Sequence, residues 1–286
     1  MPIHSKLKSL EPRRTQFQKK ITLLSGGFTK PDSFPNGEIT VYPWDASIDD
    51  WLAERARKGD QSNLLYQLCA QVCDLNGCPI DNFVVGDINT VLLVSRSIRY
   101  NSVIEYDSEC PGCGFVTQER IVVPDELRRV GEKGSDYAGW DEVALPDCGD
   151  VVRVRPLLVR DEKHISARDD TDKKLISDHV IHIITPIVSI NDGSPDSKEE
   201  VMRWFNAISP RDATVLEAFE NENYPHLDTS IPHQCDRCRK KYTHALDFSA
   251  DFFRPSLKSG GGAALASEAG PGVERAGNGD QPQRSA

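Results

Sequence analysis

Apolar positions along this chain alternate with polar ones in some stretches and recur every three to four residues in others. Glu38–Tyr42 alternates, is rich in β-branched residues and stops at Pro43, which predicts a strand. Ser47, followed three residues later by Asp50, is a capping pattern that opens a helix to about Arg57. Leu65, Leu68, Cys69 and Val72 fall at helical spacing and predict a second helix with one buried face. Residues 74–79 read as a loop, after which Asp87 caps a third helix carrying Val91, Leu92 and Ile98. Ser102–Glu109 and Phe115–Val123 are strand-like and enclose Cys110-Pro111-Gly112-Cys113-Gly114.

The same order returns further on. Residues 124–150 are polar and glycine-containing and read as a connector. Val151–Val154 predicts a strand ending near Pro156, and Asp161 starts a helical stretch. Leu175–Ile184 predicts an apolar helix, and Asn191-Asp192-Gly193 a turn. Ser197 with Glu200, and Ser209 with Pro210 and Asp212, cap two more helices. Thr229–Gln234 and Lys240–Phe248 are strands around Cys235-Asp236-Arg237-Cys238. Asp87 precedes Cys110 by 23 residues, and Asp212 precedes Cys235 by the same 23. The expected fold class is therefore α+β: two pseudo-repeated lobes of helices and β-hairpins, joined by a zinc-ribbon-like four-cysteine site. The expected divisions are a basic arm (1–37), repeat 1 (38–123), the connector (124–150), repeat 2 (151–254) and a tail (255–286).

Composition narrows the function. With 38 % apolar and 27 % charged residues the chain can build a core, and no apolar run approaches the ~18 residues of a membrane span. The start has no apolar stretch behind its charges, so it is not expected to be a secretory signal. Net charge is −10, so the bulk surface is disfavoured as a nucleic-acid partner. Residues 1–20 carry +5 against this background. They read as a solvated terminus, or as an arm for an acidic partner or for self-association with a second copy. The tail is rich in Gly, Ala, Ser and Pro, carries no net charge, and is expected to be disordered.

Eight cysteines are too few for a disulfide scaffold, but four form two CxxC pairs. Two thiolates at that spacing reach one ion, and two pairs close a tetrahedral shell. Cys110, Cys113, Cys235 and Cys238 are thus the candidate metal ligands, for zinc or, with the same donors, iron. A shell filled by protein leaves no water to activate, so the ion is structural. The second pair lacks the Pro and Gly of the first and should form a more strained turn. Redox CxxC pairs usually open a helix, whereas these lie between strands. Cys69 and Cys73 read as core thiols, and His179 and His182 as core residues of an apolar helix. His233 stands near enough to Cys235 to be a substitute ligand. Asp169, Asp170 and Asp172 read as a solvated charge run. No phosphate-loop, nucleophile-elbow or HExxH pattern occurs, so no catalytic site is expected and the chain reads as a non-enzyme.

Five features in order carry a family resemblance: Pro35-Asn36-Gly37 before the Glu38–Pro43 strand, Cys110-Pro111-Gly112-Cys113-Gly114 after Tyr106, Val152–Pro156, Cys235-x-x-Cys238, and Phe252-Phe253-Arg254-Pro255. Over residues 25–255 the chain resembles the baseplate hub subunits of T-even-type contractile-tailed bacteriophages. The resemblance implies a tail structural or assembly protein without enzymatic activity. Its partners would be other baseplate and tail hub proteins, and its location the virion baseplate or the host cytoplasm during assembly. The alternative class is a zinc-ribbon nucleic-acid adaptor, for which Arg237, Arg239, Lys240 and Lys241 supply a basic patch.

Overall fold

Strand β2 (Glu38–Val41) takes its place as predicted and pairs antiparallel with β1 (Lys19–Thr22), Ile21 opposite Ile39. This first hairpin lies inside what read as a basic arm. Leu23, Leu24 and Phe34 between its strands are fully buried, so this part of the segment contributes to the core. The computed structural model describes residues 17–58, 63–168 and 176–246. The rest of the arm, Asp169, Asp170, Asp172, Leu175 and the tail lie outside them.

Helices α1 (Ala46–Lys58), α2 (Leu64–Val72) and α3 (Val85–Tyr100) follow. The cap of α1 is Asp45, not Ser47: its carboxylate accepts the Ile48 amide at 3.2 Å. Asp87 does not cap α3 either, because the helix starts two residues earlier. Its side chain leaves the helix and accepts the Ser25 amide at 3.1 Å. The strands β3 (Val103–Glu109) and β4 (Val116–Val122) form a seven-residue antiparallel ribbon, Tyr106 opposite Glu119.

The polar stretch 124–150 is more than a connector. It contains β5 (Arg128–Val130) and β6 (Asp141–Ala144). Two branched residues suffice to seal such short strands once partners are near: Val130 and Val143 are buried. β6 pairs with β7 (Val151–Val154), which pairs with β8 (Ile187–Ile190), giving a three-stranded sheet. Helix α4 (Val159–Ser166) follows β7, and α5 (Asp178–Ile184), α6 (Lys198–Phe205) and α7 (Pro210–Asn223) share an apolar core with the sheet. Ser177, Ser197 and Ser209 each cap a helix by accepting the amide three residues on. Strand β9 (His226–Asp228) pairs with β5, and β10 (Ser230–Gln234) with β11 (Lys241–Ala245) in a second ribbon.

The architecture is α+β, with helices against small antiparallel sheets. Two apolar cores result. The larger gathers Trp44, Phe34, Phe83, Leu68, Leu92 and Leu93. The smaller gathers Val143, Val152, Val154, Ile183 and Leu216, with Trp204 and Phe219 at its edge. Val159 and Leu227 from the second half reach into the larger core, which ties the lobes together.

Candidate metal centre

The two ribbons bring their turns together. Each turn closes identically: Gly114 donates its amide to the Cys110 carbonyl at 2.9 Å, and Arg239 donates to Cys235 at 2.8 Å. Cys110 and Cys235 in turn donate their own amides to Phe115 and Lys240. The residue after the second cysteine must be left-handed, with φ 67° at Gly114 and 61° at Arg239. Glycine adopts this freely, whereas the arginine Cβ crowds the backbone. The strain expected of the second turn therefore has a specific seat.

All four sulfurs lie within 4.8 Å of one another. Cys110 Sγ lies 3.6 Å from Cys238 Sγ, and Cys113 Sγ lies 3.6 Å from Cys235 Sγ. Four sulfurs at about 2.3 Å from one tetrahedral ion would sit about 3.8 Å apart. The donor set thus fits a single closed-shell ion. Both short separations cross between ribbons rather than staying within a CxxC pair. Backbone amides face the sulfurs, Gly112 towards Cys110 at 3.4 Å and Cys238 towards Cys235 at 3.5 Å.

Crowding splits the thiols. The amides of Cys238 and Arg237, helped by the Cys113 and Cys110 thiols, pull Cys235 down to about 6. The Phe115 backbone favours the Cys113 thiolate, but burial and proton sharing with the other three thiols push it up to about 12. One sulfur is therefore ready as a thiolate at neutral pH, and further protons would leave as an ion arrives.

Behind the sulfurs the ribbons meet through a polar aromatic layer. Tyr106 Oη lies 3.0 Å from His233 Nε2, and Ser108 Oγ lies 2.9 Å from Tyr242 Oη. The Tyr106 ring stacks on His244 at 4.7 Å, and His233 on Tyr242 at 5.5 Å. His233 is thus engaged with Tyr106 and does not join the sulfurs. Alternation made this layer readable in outline, since Tyr106 and Ser108, and His233 with Ile231, share strand faces. Which ribbon they would face was not.

The remaining candidates separate. Cys69 and Cys73 are core thiols as expected, their sulfurs 4.0 Å apart. His179 and His182 are not core residues: His179 is exposed and His182 half-buried. Their helix buries only Ile183 and Ile184, so one narrow stripe suffices and the histidines turn out to Glu217 and Glu162. Among the described residues no helix is long and apolar enough to cross a membrane. Comparison with protein-family models, with curated proteins and with solved structures finds no match.

Proposed function

We propose that the chain is a non-catalytic structural or assembly protein whose two halves are stapled at their ribbon tips by one zinc ion, in the manner of a zinc ribbon. The observation that carries the staple is that all four sulfurs lie within 4.8 Å of one another, with Cys110 to Cys238 and Cys113 to Cys235 each 3.6 Å apart across the halves. An ion there closes the long loop between Cys113 and Cys235, and its ligation energy adds to the fold.

The halves read as a duplication. In support, Asp87 and Asp212 both sit third in a helix and both reach back to a segment beside a hairpin. Asp87 accepts the Ser25 amide, and Asp212 accepts the amides of Asp147 and Cys148 at 2.9 and 3.1 Å. From each aspartate the chain runs the same 23 residues to its CxxC. The resemblance to T-even-type baseplate hub subunits supports a role in the tail baseplate hub or in its assembly.

Elemental analysis of the purified protein with a visible spectrum tests the staple. One zinc per chain and no colour is the expected result. Iron with charge-transfer bands would replace the ion and keep the geometry, whereas four titratable thiols without metal would overturn the staple. The baseplate role is tested in a phage that encodes the chain: its loss should leave tails without functional hubs. Infective tails assembled without it would overturn that role.

A second reading, the nucleic-acid adaptor, draws on the exposure of Arg237, Arg239, Lys240 and Lys241 around the second turn. The nearby Tyr242 ring is stacked on His233, which leaves phosphate contacts as the main attraction. Salt-dependent binding to DNA or RNA would favour this reading; no binding at low salt would end it.

A further inference from the structure

The second lobe contains a polar cleft that shares no residue with the sulfur cluster. A cavity of about 410 Å³ opens between α5 and α7, lined by His179, His182, Glu217, Glu220 and His226 among others. Three of the chain's seven histidines thus meet here, beside two carboxylates. His179 and His182 are three residues apart on α5, as are Glu217 and Glu220 on α7, so each pair occupies one helix face. In the larger core, α2 instead presents the fully buried Leu68, Cys69 and Val72.

One pair of donors here is already spaced for an ion, whereas among the described residues only the four cysteines bring three or more together. His179 Nε2 lies 3.7 Å from Glu217 Oε1, longer than a hydrogen bond. Two donors each about 2.1 Å from one tetrahedral ion would be about 3.4 Å apart, so little adjustment is needed. The other imidazoles each have an oxygen nearby on one side, within hydrogen-bond distance for His226 alone of the two. His226 Nδ1 lies 2.8 Å from the Tyr224 carbonyl, which makes Nδ1 the protonated nitrogen and leaves the Nε2 lone pair. His182 Nδ1 lies 3.6 Å from Glu162 Oε2. Such outer oxygens are the usual supports of metal-binding histidines. Glu220 is half-buried, receives the Tyr224 hydroxyl at 3.4 Å, and among the described residues has no Lys or Arg partner.

We propose that this cleft binds a divalent first-row transition-metal ion through His179 and Glu217, with His182 and Glu220 turning in to complete the shell. Imidazole and carboxylate donors suit nickel, cobalt or zinc. The ion is independent of the thiolate staple.

Tag-free protein, first loaded with zinc at its cysteines, is titrated with Ni²⁺ alone. One nickel per chain is expected in addition to the zinc. His179→Gln should weaken nickel binding at least tenfold, and the H179Q/E217Q pair should abolish it. Both positions are well exposed, so the variants should melt with the parent. Cys110→Ser should retain nickel binding even as it loses zinc, which separates failure of the cleft from failure of the staple. No nickel uptake by the zinc-loaded parent, or undiminished uptake by the double variant, would overturn the site.

Discussion

Arg239 and Gly114 occupy the same place in two copies of one turn, and only one is suited to it. At φ 61° the arginine side chain opposes the backbone it sits on. Arg239→Gly should therefore stabilise the protein by about 1 kcal/mol, read as a higher denaturant midpoint at unchanged slope. The paired aspartates differ in the same way. Burial raises the Asp212 carboxyl, but the amides of Asp147 and Cys148 outweigh it and hold the group below the usual range. Asp87 is 1 % exposed and its Oδ2 has no partner among the described residues. Burial pushes it up to about 6 despite the help of Ser25. The folded state thus holds a proton that the unfolded chain releases near pH 4, and stability falls as pH rises from about 4 to about 6. Asp87→Asn should remove that fall, on the order of 3 kcal/mol. Melting temperatures of parent and variant across this window would measure it, and parallel curves would exclude Asp87 as the source.

Among elements, α3 buries nine of its sixteen residues. Its first turn lies against the chain that follows α7, so close that a Cβ on Gly86 would come 1.5 Å from the Pro225 carbonyl oxygen. No side-chain rotation relieves a clash with backbone. Gly86→Ala should cost roughly 3 kcal/mol or more by forcing α3 away from β9, and thermal melting would show it as a large drop. The three serine-capped helices carry their boundaries locally, which is why α5, α6 and α7 begin where their capping residues place them. The limits of β5 and β6 have no such local origin, because a three- or four-residue strand exists only while its partner is beside it.

At the scale of the molecule, the ribbon tips join cysteines 122 and 128 residues apart, and the apolar surface there is small. Cys110 and Cys235 are buried beneath a polar aromatic layer, with Phe115 and Val116 left exposed. The ion is accordingly expected to supply much of the tip's stability. Removing it with a chelator, or substituting Cys110→Ser or Cys235→Ser, should cost about 4 kcal/mol by the loop-entropy argument for a cross-link over this span. For a chain of this size that is a fall of roughly 10 °C in melting temperature. Unchanged melting after complete metal removal would show that packing alone holds the ribbons together.

Residue spacing was enough to determine the four-cysteine set, the two ribbons and most helices, because hairpin turns, capping serines and apolar periodicity act over fewer than ten residues. The pairing of β1 with β2, the strands hidden in 124–150 and the departure of Asp87 from its helix depended on partners distant in sequence. The same holds for His179 and His182. An apolar run on α5 suggested burial for both, but the lobe needed only Ile183 and Ile184, and the histidines lie at the edge of that stripe, facing Glu217 and Glu162. Local chemistry sets which side chains can bind an ion; the packing of the halves decides which of them meet.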